Sequence, residues 1–259
     1  MNIIDFENIH VSYNETLVLK EINLKIKQGE HWAILGKNGS GKSTLIKLIS
    51  SEIHPRKQYK YKKEILGKDR YTITELKEQI GVNTNDLHNY FEKHGNFLST
   101  YEVVLSGYYS SIGVFKHQDF TQEQHKKAFE VLEFLELLEL KDKKVYQLST
   151  GQLRKAIIGR ALIHNPKAFI LDEPTVGLDI KAQKNFINTM KNLCEKATII
   201  LVTHHFNEIF EEISKVALIK DGKIFKQGDK KELLTSSNLS EVFDFELNIE
   251  EKNGYFLVY

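Results

Sequence analysis

The chain has 259 residues, 41% hydrophobic and 27% charged, enough for one large domain or two small ones and for a core that needs no disulfide staples. Lys and Arg number 36 against 35 Asp and Glu, a formal charge of +1, which excludes a general electrostatic reason to bind nucleic acid or an anionic membrane. Cys194 is the single cysteine, which excludes an intrachain disulfide and suits a reducing compartment.

Ile22, Leu24 and Ile26 alternate with polar residues and predict a half-buried strand closed by Gln28-Gly29. His31 to Leu35 is a short apolar run of the kind a sheet buries on both faces. It leads into a glycine-rich turn and then a helix with Leu45, Ile46, Leu48 and Ile49 inward, the opening of an α/β unit. Residues 97–164 are rich in helix signals: Ser99 with Glu102 and Thr121 with Gln124 fit reciprocal capping boxes. A further helix starts near Ser149 and stops by Asn165, because Pro166 follows. The strand rhythm then returns with Ala168–Leu171 and Thr198–Thr203, separated by a helix with Ala182, Phe186, Met190 and Leu193 inward. Asp221-Gly222 predicts a hairpin turn, and Phe245, Leu247 and Ile249, a turn at Asn253-Gly254, and Tyr255, Leu257 and Tyr259 predict a second.

The run GKNGSGKST, residues 36–44, satisfies G-x-x-x-x-G-K-[ST] between a predicted strand and a predicted helix. Gly36, Gly39 and Gly41 let backbone N–H groups converge on phosphate oxygens, and the helix adds the positive end of its dipole. Lys42 reaches the outer phosphates and the Ser43 hydroxyl ligates Mg²⁺. The alternative is an ordinary glycine turn. Ala168-Phe169-Ile170-Leu171-Asp172-Glu173 ends a strand on two acids, at the end of a sheet where ligands gather. Asp172 is the candidate for Mg²⁺ and Glu173 for the base that takes a proton from water. Taken alone, this pair reads as a solvated strand exit; paired with the glycine loop, it reads as a site. Leu148-Ser149-Thr150-Gly151-Gln152, taken alone, reads as a helix N-cap.

Together these segments resemble the ATP-binding cassette (ABC) ATPases, over residues 3–234. GKNGSGKST resembles the Walker A loop (Gly36, Lys37, Asn38, Gly39, Ser40, Gly41, Lys42, Ser43, Thr44), FILDE the Walker B strand with its catalytic glutamate, and LSTGQ the family signature. Val176-Gly177-Leu178-Asp179 is similar to the D-loop, and Thr203-His204 to the switch histidine that orients the water. Tyr13 resembles the aromatic that stacks on adenine, with Val18 beside it; the alternative for Tyr13 is core packing. His205 reads only as a buried histidine. Two positions depart from the family. Asn85 stands where aligning Ile80-Gly81-Val82 places a metal-contacting glutamine, so its amide is one methylene short. Thr150 replaces a glycine, and a β-branched side chain disfavours any φ above zero. Asn85 and VVLSGYYSSIG resemble a subgroup that includes molybdate-linked accessory ATPases and metal-chelate importers.

The resemblance implies an α/β P-loop fold of ABC type, with a mostly parallel core sheet, an antiparallel β-lobe and a helical lobe at about 86–165. The ATP-binding domain is expected over 1–234 and a C-terminal hairpin over 235–259. It implies an Mg-dependent ATPase in which Glu173, His204 and Lys42 act on bound ATP, with Ser43, Asp172 and Asn85 at the metal. It also implies a homodimer joined through ATP, in which Ser149, Thr150, Gly151 and Gln152 face the other chain's nucleotide and Asp179 lies in the D-loop. No run approaches the roughly 20 apolar residues of a membrane span, and the start shows no signal-peptide pattern. The expected setting is therefore cytoplasmic, on the inner face of the cell membrane through transmembrane permease subunits, with hydrolysis driving transport. The rival reading is a soluble ABC ATPase that remodels proteins or nucleic acid; no nucleic-acid partner is expected. The basic cluster Arg56, Lys57, Lys60, Lys62, Lys63, Lys68 and Arg70 reads as a solvated face of the β-lobe, the alternative being a nucleic-acid or lipid surface.

Overall fold

In chain order the strands are β1 (Asn2–Tyr13), β2 (Thr16–Lys27), β3 (Trp32–Leu35), β4 (Lys62–Ile65), β5 (Ile80–Asn83), β6 (Ala168–Asp172), β7 (Thr198–Thr203), β8 (Lys215–Lys220), β9 (Lys223–Asp229), β10 (Ile249–Lys252) and β11 (Tyr255–Val258). The α-helices are α1 (Lys42–Ile49), α2 (Ile73–Gln79), α3 (Asn85–His94), α4 (Thr100–Leu105), α5 (Gln122–Phe134), α6 (Thr150–Leu162), α7 (Ile180–Cys194), α8 (Lys230–Leu233) and α9 (Ser236–Phe243). This computed structural model describes residues 1–252 and 255–259. They divide into two units, Met1–Ile73 with Ala197–Tyr259, and Thr74–Lys196.

The strands of the first unit, apart from the β10–β11 pair, fall in two sheets. In one, β1 pairs antiparallel with β2 and β4, in the order β2-β1-β4. The alternation seen in the sequence buries Ile22, Leu24 and Ile26 and turns their polar neighbours outward. In the other, β3 lies between β7 and β8, parallel to both, and β9 pairs antiparallel with β8. All four residues of β3 and all six of β7 are buried, as expected for strands covered on both faces. Asp221 and Gly222 join β8 to β9 with φ of 48° and 79°, the left-handed pair that a two-residue hairpin turn requires. Leu45, Ile46, Leu48 and Ile49 face inward from α1.

The C-terminal segment differs from the expected plain hairpin. Residues 236–243 form α9, capped by the Thr235 hydroxyl, which accepts from Asn238 N–H at 3.3 Å. Asp244 ends the helix with φ 61°. Phe245 is exposed and Leu247 buried, yet both precede β10, because the Ser240 hydroxyl accepts from Leu247 N–H at 2.9 Å and holds that stretch against the helix. Strand pairing starts at Ile249, opposite Val258. The turn expected at Asn253-Gly254 lies outside the described residues.

The second unit carries the parallel pair β5–β6 and the helices α3 to α7. Both predicted capping boxes are present, at Ser99–Glu102 and Thr121–Gln124. The expected helical stretch at about 86–165 contains most of α3 and all of α4, α5 and α6, and α6 ends at Leu162, before Pro166. On α7 the inward face is Phe186, Ile187, Met190 and Leu193; Ala182 is only half-buried, because it lies in the first turn beside the cap.

Candidate functional site

In the first unit, the loop between β3 and α1 is shaped by its glycines. Gly39 and Gly41 have φ of 79° and 108°, a region other residues enter only under strain. Gly36 is required for space: a Cβ there would lie 2.4 Å from the Ile219 carbonyl oxygen. The hairpin turn braces the loop from the other side. Gly222 N–H donates to Ser40 C=O at 3.0 Å, and Gly222 C=O accepts from Lys20 N–H at 2.8 Å.

Gly41 caps α1 without a side-chain hydrogen bond, and the first-turn N–H groups there sum with the helix dipole. Lys42 is buried, and its ammonium curls back over the loop, donating to Gly36 C=O at 2.7 Å and to Lys37 C=O at 3.1 Å. Ser43 is exposed and Ser40 buried. This is a positively polarised concavity built from backbone and one cation, and it can hold a polyphosphate.

Val18 runs beside this loop: its carbonyl oxygen would be 3.6 Å from a Cβ on Gly41. Tyr13 ends β1 and is 45% exposed, which core packing does not explain and which leaves room for stacking. His204 follows buried β7 and is half-buried, its ring centroid 3.9 Å from that of His205. Thr203 fixes the bend after the strand, its hydroxyl accepting from His205 N–H at 2.9 Å. Lys37 and Asn38 lie on the outer side of the loop; Lys37 pairs with Asp244 and, at 3.9 Å, with Asp221. Asp244 also meets Lys220 at 2.8 Å. Hydrogen bonds from these two lysines hold its carboxyl down at about 2.

In the second unit, β6 ends on Asp172, and Glu173 follows with φ 45°. A left-handed conformation is uncommon for glutamate and marks a backbone held in place by its surroundings. Thr84 caps α3, and Asn85 is the first residue of that helix. The Asn85 carbonyl oxygen accepts from Arg154 Nη2 at 2.8 Å; its second lone pair remains for a cation. Arg154, 3% exposed on α6, also donates to Val176 C=O at 2.9 Å. One guanidinium thus ties α6 to Asn85 and to the segment after Glu173. Arg154 is not legible as a site residue, because in the sequence it stands beside Lys155 as an ordinary charged pair between Leu153 and Ala156.

Asn83 carries no motif signal in the sequence either. It is 2% exposed at the end of β5, opposite Leu171, and neither polar atom of its amide has a hydrogen-bond partner among the described residues. A buried amide left open beside the strand that ends in Asp172 is suited to a polar ligand or an ordered water.

Ser149 caps α6 in a reciprocal box: its hydroxyl accepts from Gln152 N–H at 3.3 Å and its own N–H donates to Gln152 Oε1 at 2.9 Å. Thr150 is the first residue of the helix and has no positive φ, so the substitution for glycine carries no backbone strain. Gly151 meets only Leu178 side-chain atoms, at 3.6 Å or more from a built Cβ. A cleft of about 270 Å³ beside it is lined by Ser149, Gly151, Gln152 and Lys155. Asp179 caps α7, its carboxylate accepting from Ala182 N–H at 2.8 Å, after Gly177 at φ 78°.

The family profile for ABC transporters matches residues 19–176, more than half of the chain. The chain belongs to the ABC transporter family. The ABC transporter ATP-binding protein YlmA of Bacillus subtilis (strain 168), itself uncharacterised, is 34% identical over 254 residues, covering 95% of this chain and 93% of YlmA. Among solved structures, the ADP conformation of MJ1267, an ATP-binding cassette of an ABC transporter, matches with a TM-score of 0.79 at 26% identity, over 93% of this chain and 98% of that one. The dimeric post-hydrolysis cassette MJ0796, bound to ADP and Pi, matches with a TM-score of 0.69 at 27% identity, over 87% and 98%. This ABC cassette is thus an ATP-binding subunit of the transporter class, with the α/β P-loop fold of its solved relatives and the ATPase activity of its family. Among the described residues no helix is long and apolar enough to cross a membrane.

Proposed function

We propose that the chain binds ATP with Mg²⁺ on the loop 36–44 and hydrolyses it within a head-to-tail pair of chains, which drives membrane-embedded permease subunits. The observation that carries this reading is the loop itself, where left-handed glycines, an uncapped helix start and the buried Lys42 ammonium converge on one anion-sized place. Backbone N–H groups of Gly39 to Thr44 cradle the phosphates, while Lys42 neutralises charge that develops on the outer ones. Tyr13 stacks on the adenine with Val18 alongside.

Ser43, Asp172 and Asn85 offer a hydroxyl, a carboxylate and an amide oxygen, an all-oxygen set that fits a hard divalent cation. The exposed Ser43 hydroxyl and the open lone pair of Asn85 support the same assignment. Bound Mg²⁺ supplies charge neutralisation on the phosphates. Glu173 accepts the proton of the attacking water, and His204 orients that water against the terminal phosphate. Ser149, Thr150, Gly151 and Gln152 of the second chain close the site, with Asp179 at the joint. Residues 1–234 form the ATP-binding domain and 235–259 an appended segment. The chain works at the cytoplasmic face of the membrane through its permease partners, without nucleic acid.

Exchanging Glu173→Gln tests the assignment. Nucleotide affinity is expected to stay within a few-fold, while turnover falls by a factor of about 100 or more. Near-normal phosphate release would remove Glu173 as the base.

A further inference from the structure

The basic cluster beside the β2-β1-β4 sheet has no part in the ATP site. Neighbouring lysines on β4 point to opposite sides, as successive strand residues do. Lys62 is neutralised by Asp5 at 2.9 Å and Glu64 at 3.3 Å. Lys63 has no carboxylate partner among the described residues. Its ammonium donates to Ser51 Oγ at 2.8 Å and lies 5.7 Å from the centre of the Tyr71 ring.

Ser51 and Tyr71 share a hydrogen bond of 2.8 Å. Ser51 is fixed by the backbone: it sits at φ 58° just past α1, and Glu52 N–H returns to Lys47 C=O at 2.9 Å. A cleft of about 700 Å³ opens over these three groups, and His54, Arg70 and Tyr61 line it as well. Burial pushes the Lys63 ammonium down to about 8 and the Tyr71 hydroxyl up. An ammonium withdrawn from water without a counter-charge is costly, and an anion in the cleft removes that cost.

We propose that this cleft binds a phosphate monoester group, seated on Lys63 with the Tyr71 hydroxyl donating beside it. The proton arithmetic allows it. Lys63 spends one N–H on Ser51, and the Ser51 proton goes to Tyr71 Oη, which frees the Tyr71 proton and two lysine N–H groups for the ligand. Arg70 also lines the cleft, and its fork can meet two phosphate oxygens at once. Lys62 is already matched, and Glu64 and Asp69 are the acids of the lining, so among the described residues Lys63 and Arg70 are the lysine and arginine of the lining without a carboxylate partner, a pair that fits a dianion. Tyr61 and Ile73 add apolar wall for the organic part of the ester. No residue of 36–44 lines this cleft, so it is a second site, independent of the ATP loop.

The test uses the full chain with ¹³C-labelled lysine, saturated with Mg-ADP to keep phosphate off the loop, and follows the Lys63 signal assigned by its loss in Lys63→Arg. Glycerol 3-phosphate is expected to shift that signal saturably and to raise its titration midpoint above about 8. Acetate at equal ionic strength should bind at least about tenfold more weakly. Calorimetry should show the affinity falling about tenfold or more in Lys63→Met and several-fold in Tyr71→Phe, with melting temperatures confirming that both fold. Vesicles containing phosphatidic acid separate the sources: a response to vesicles alone assigns a lipid headgroup, and a response to the soluble ester assigns a metabolite. The inference is overturned by the absence of a saturable shift with glycerol 3-phosphate, inorganic phosphate and vesicles alike, or by undiminished affinity in Lys63→Met.

Discussion

A methyl group at position 36 would lie 2.4 Å from the Ile219 carbonyl oxygen and 2.7 Å from Ser40 Oγ. The nearer obstacle is backbone on β8, so the loop rather than a side chain must give way. Gly36→Ala is therefore expected to cost about 1–3 kcal/mol of stability and to weaken ATP binding out of proportion to that loss. Thermal melts with and without nucleotide would separate the two effects. His31 makes a second point about single residues. Its Nδ1 accepts from Ile199 N–H at 3.0 Å, and burial, opposed by the nearby Glu212 charge, lowers its pKa from 6.5. The acceptor role needs the neutral ring. As pH falls below 6.5 the unfolded chain takes up a proton that the folded chain resists, so stability is lost on acidification. The melting temperature of the native chain should therefore drop more steeply between about pH 6.5 and 5 than that of His31→Gln. Parallel curves would show that this histidine is not the group responsible.

Helix ends illustrate which elements could be read in advance. A capping box is a local device, a hydroxyl and an acid or amide three residues apart, so Ser99 and Thr121 marked their helices correctly and Ser149 marked α6. The C-terminal segment was misleading because alternation at Phe245, Leu247 and Ile249 imitates a strand. What decides that stretch is the bond from Ser240 to Leu247 and the ion pairs of Asp244 with Lys37 and Lys220, all made by tertiary contact. The site shows the same division. The glycine loop was plain from spacing and the acids at the end of β6 took their reading only from that loop, whereas Arg154 and Asn83 acquire meaning only from what surrounds them. Ser149 and Thr121 allow a controlled comparison, since both cap through N3 with a reciprocal amide. Ser149→Ala and Thr121→Ala should each lower stability by about 1 kcal/mol. Only the first should also reduce ATP turnover, because only Ser149 is proposed to face the other chain's nucleotide. Equal turnover in the two variants would reduce the signature serine to a cap.

At the scale of the whole assembly, the chain carries one phosphate loop and one signature, and the proposed pairing supplies each loop with the signature of the other chain. That arrangement gives a result no single chain could produce. Lys42→Ala removes the phosphate-binding ammonium but leaves the signature intact, and Ser149→Arg obstructs the signature but leaves the loop intact. Each variant alone forms pairs in which both sites are damaged, so each should be inactive. Mixed in equal amounts, about half of the pairs contain one chain of each kind, and one of the two sites in such a pair is whole. Activity should therefore appear on mixing, at up to about a quarter of that of the native chain when sites work independently. It should rise with total protein concentration until pairing saturates. A mixture as inactive as its components would show that neither chain completes the site of the other, and a variant active by itself would place its residue outside the reaction.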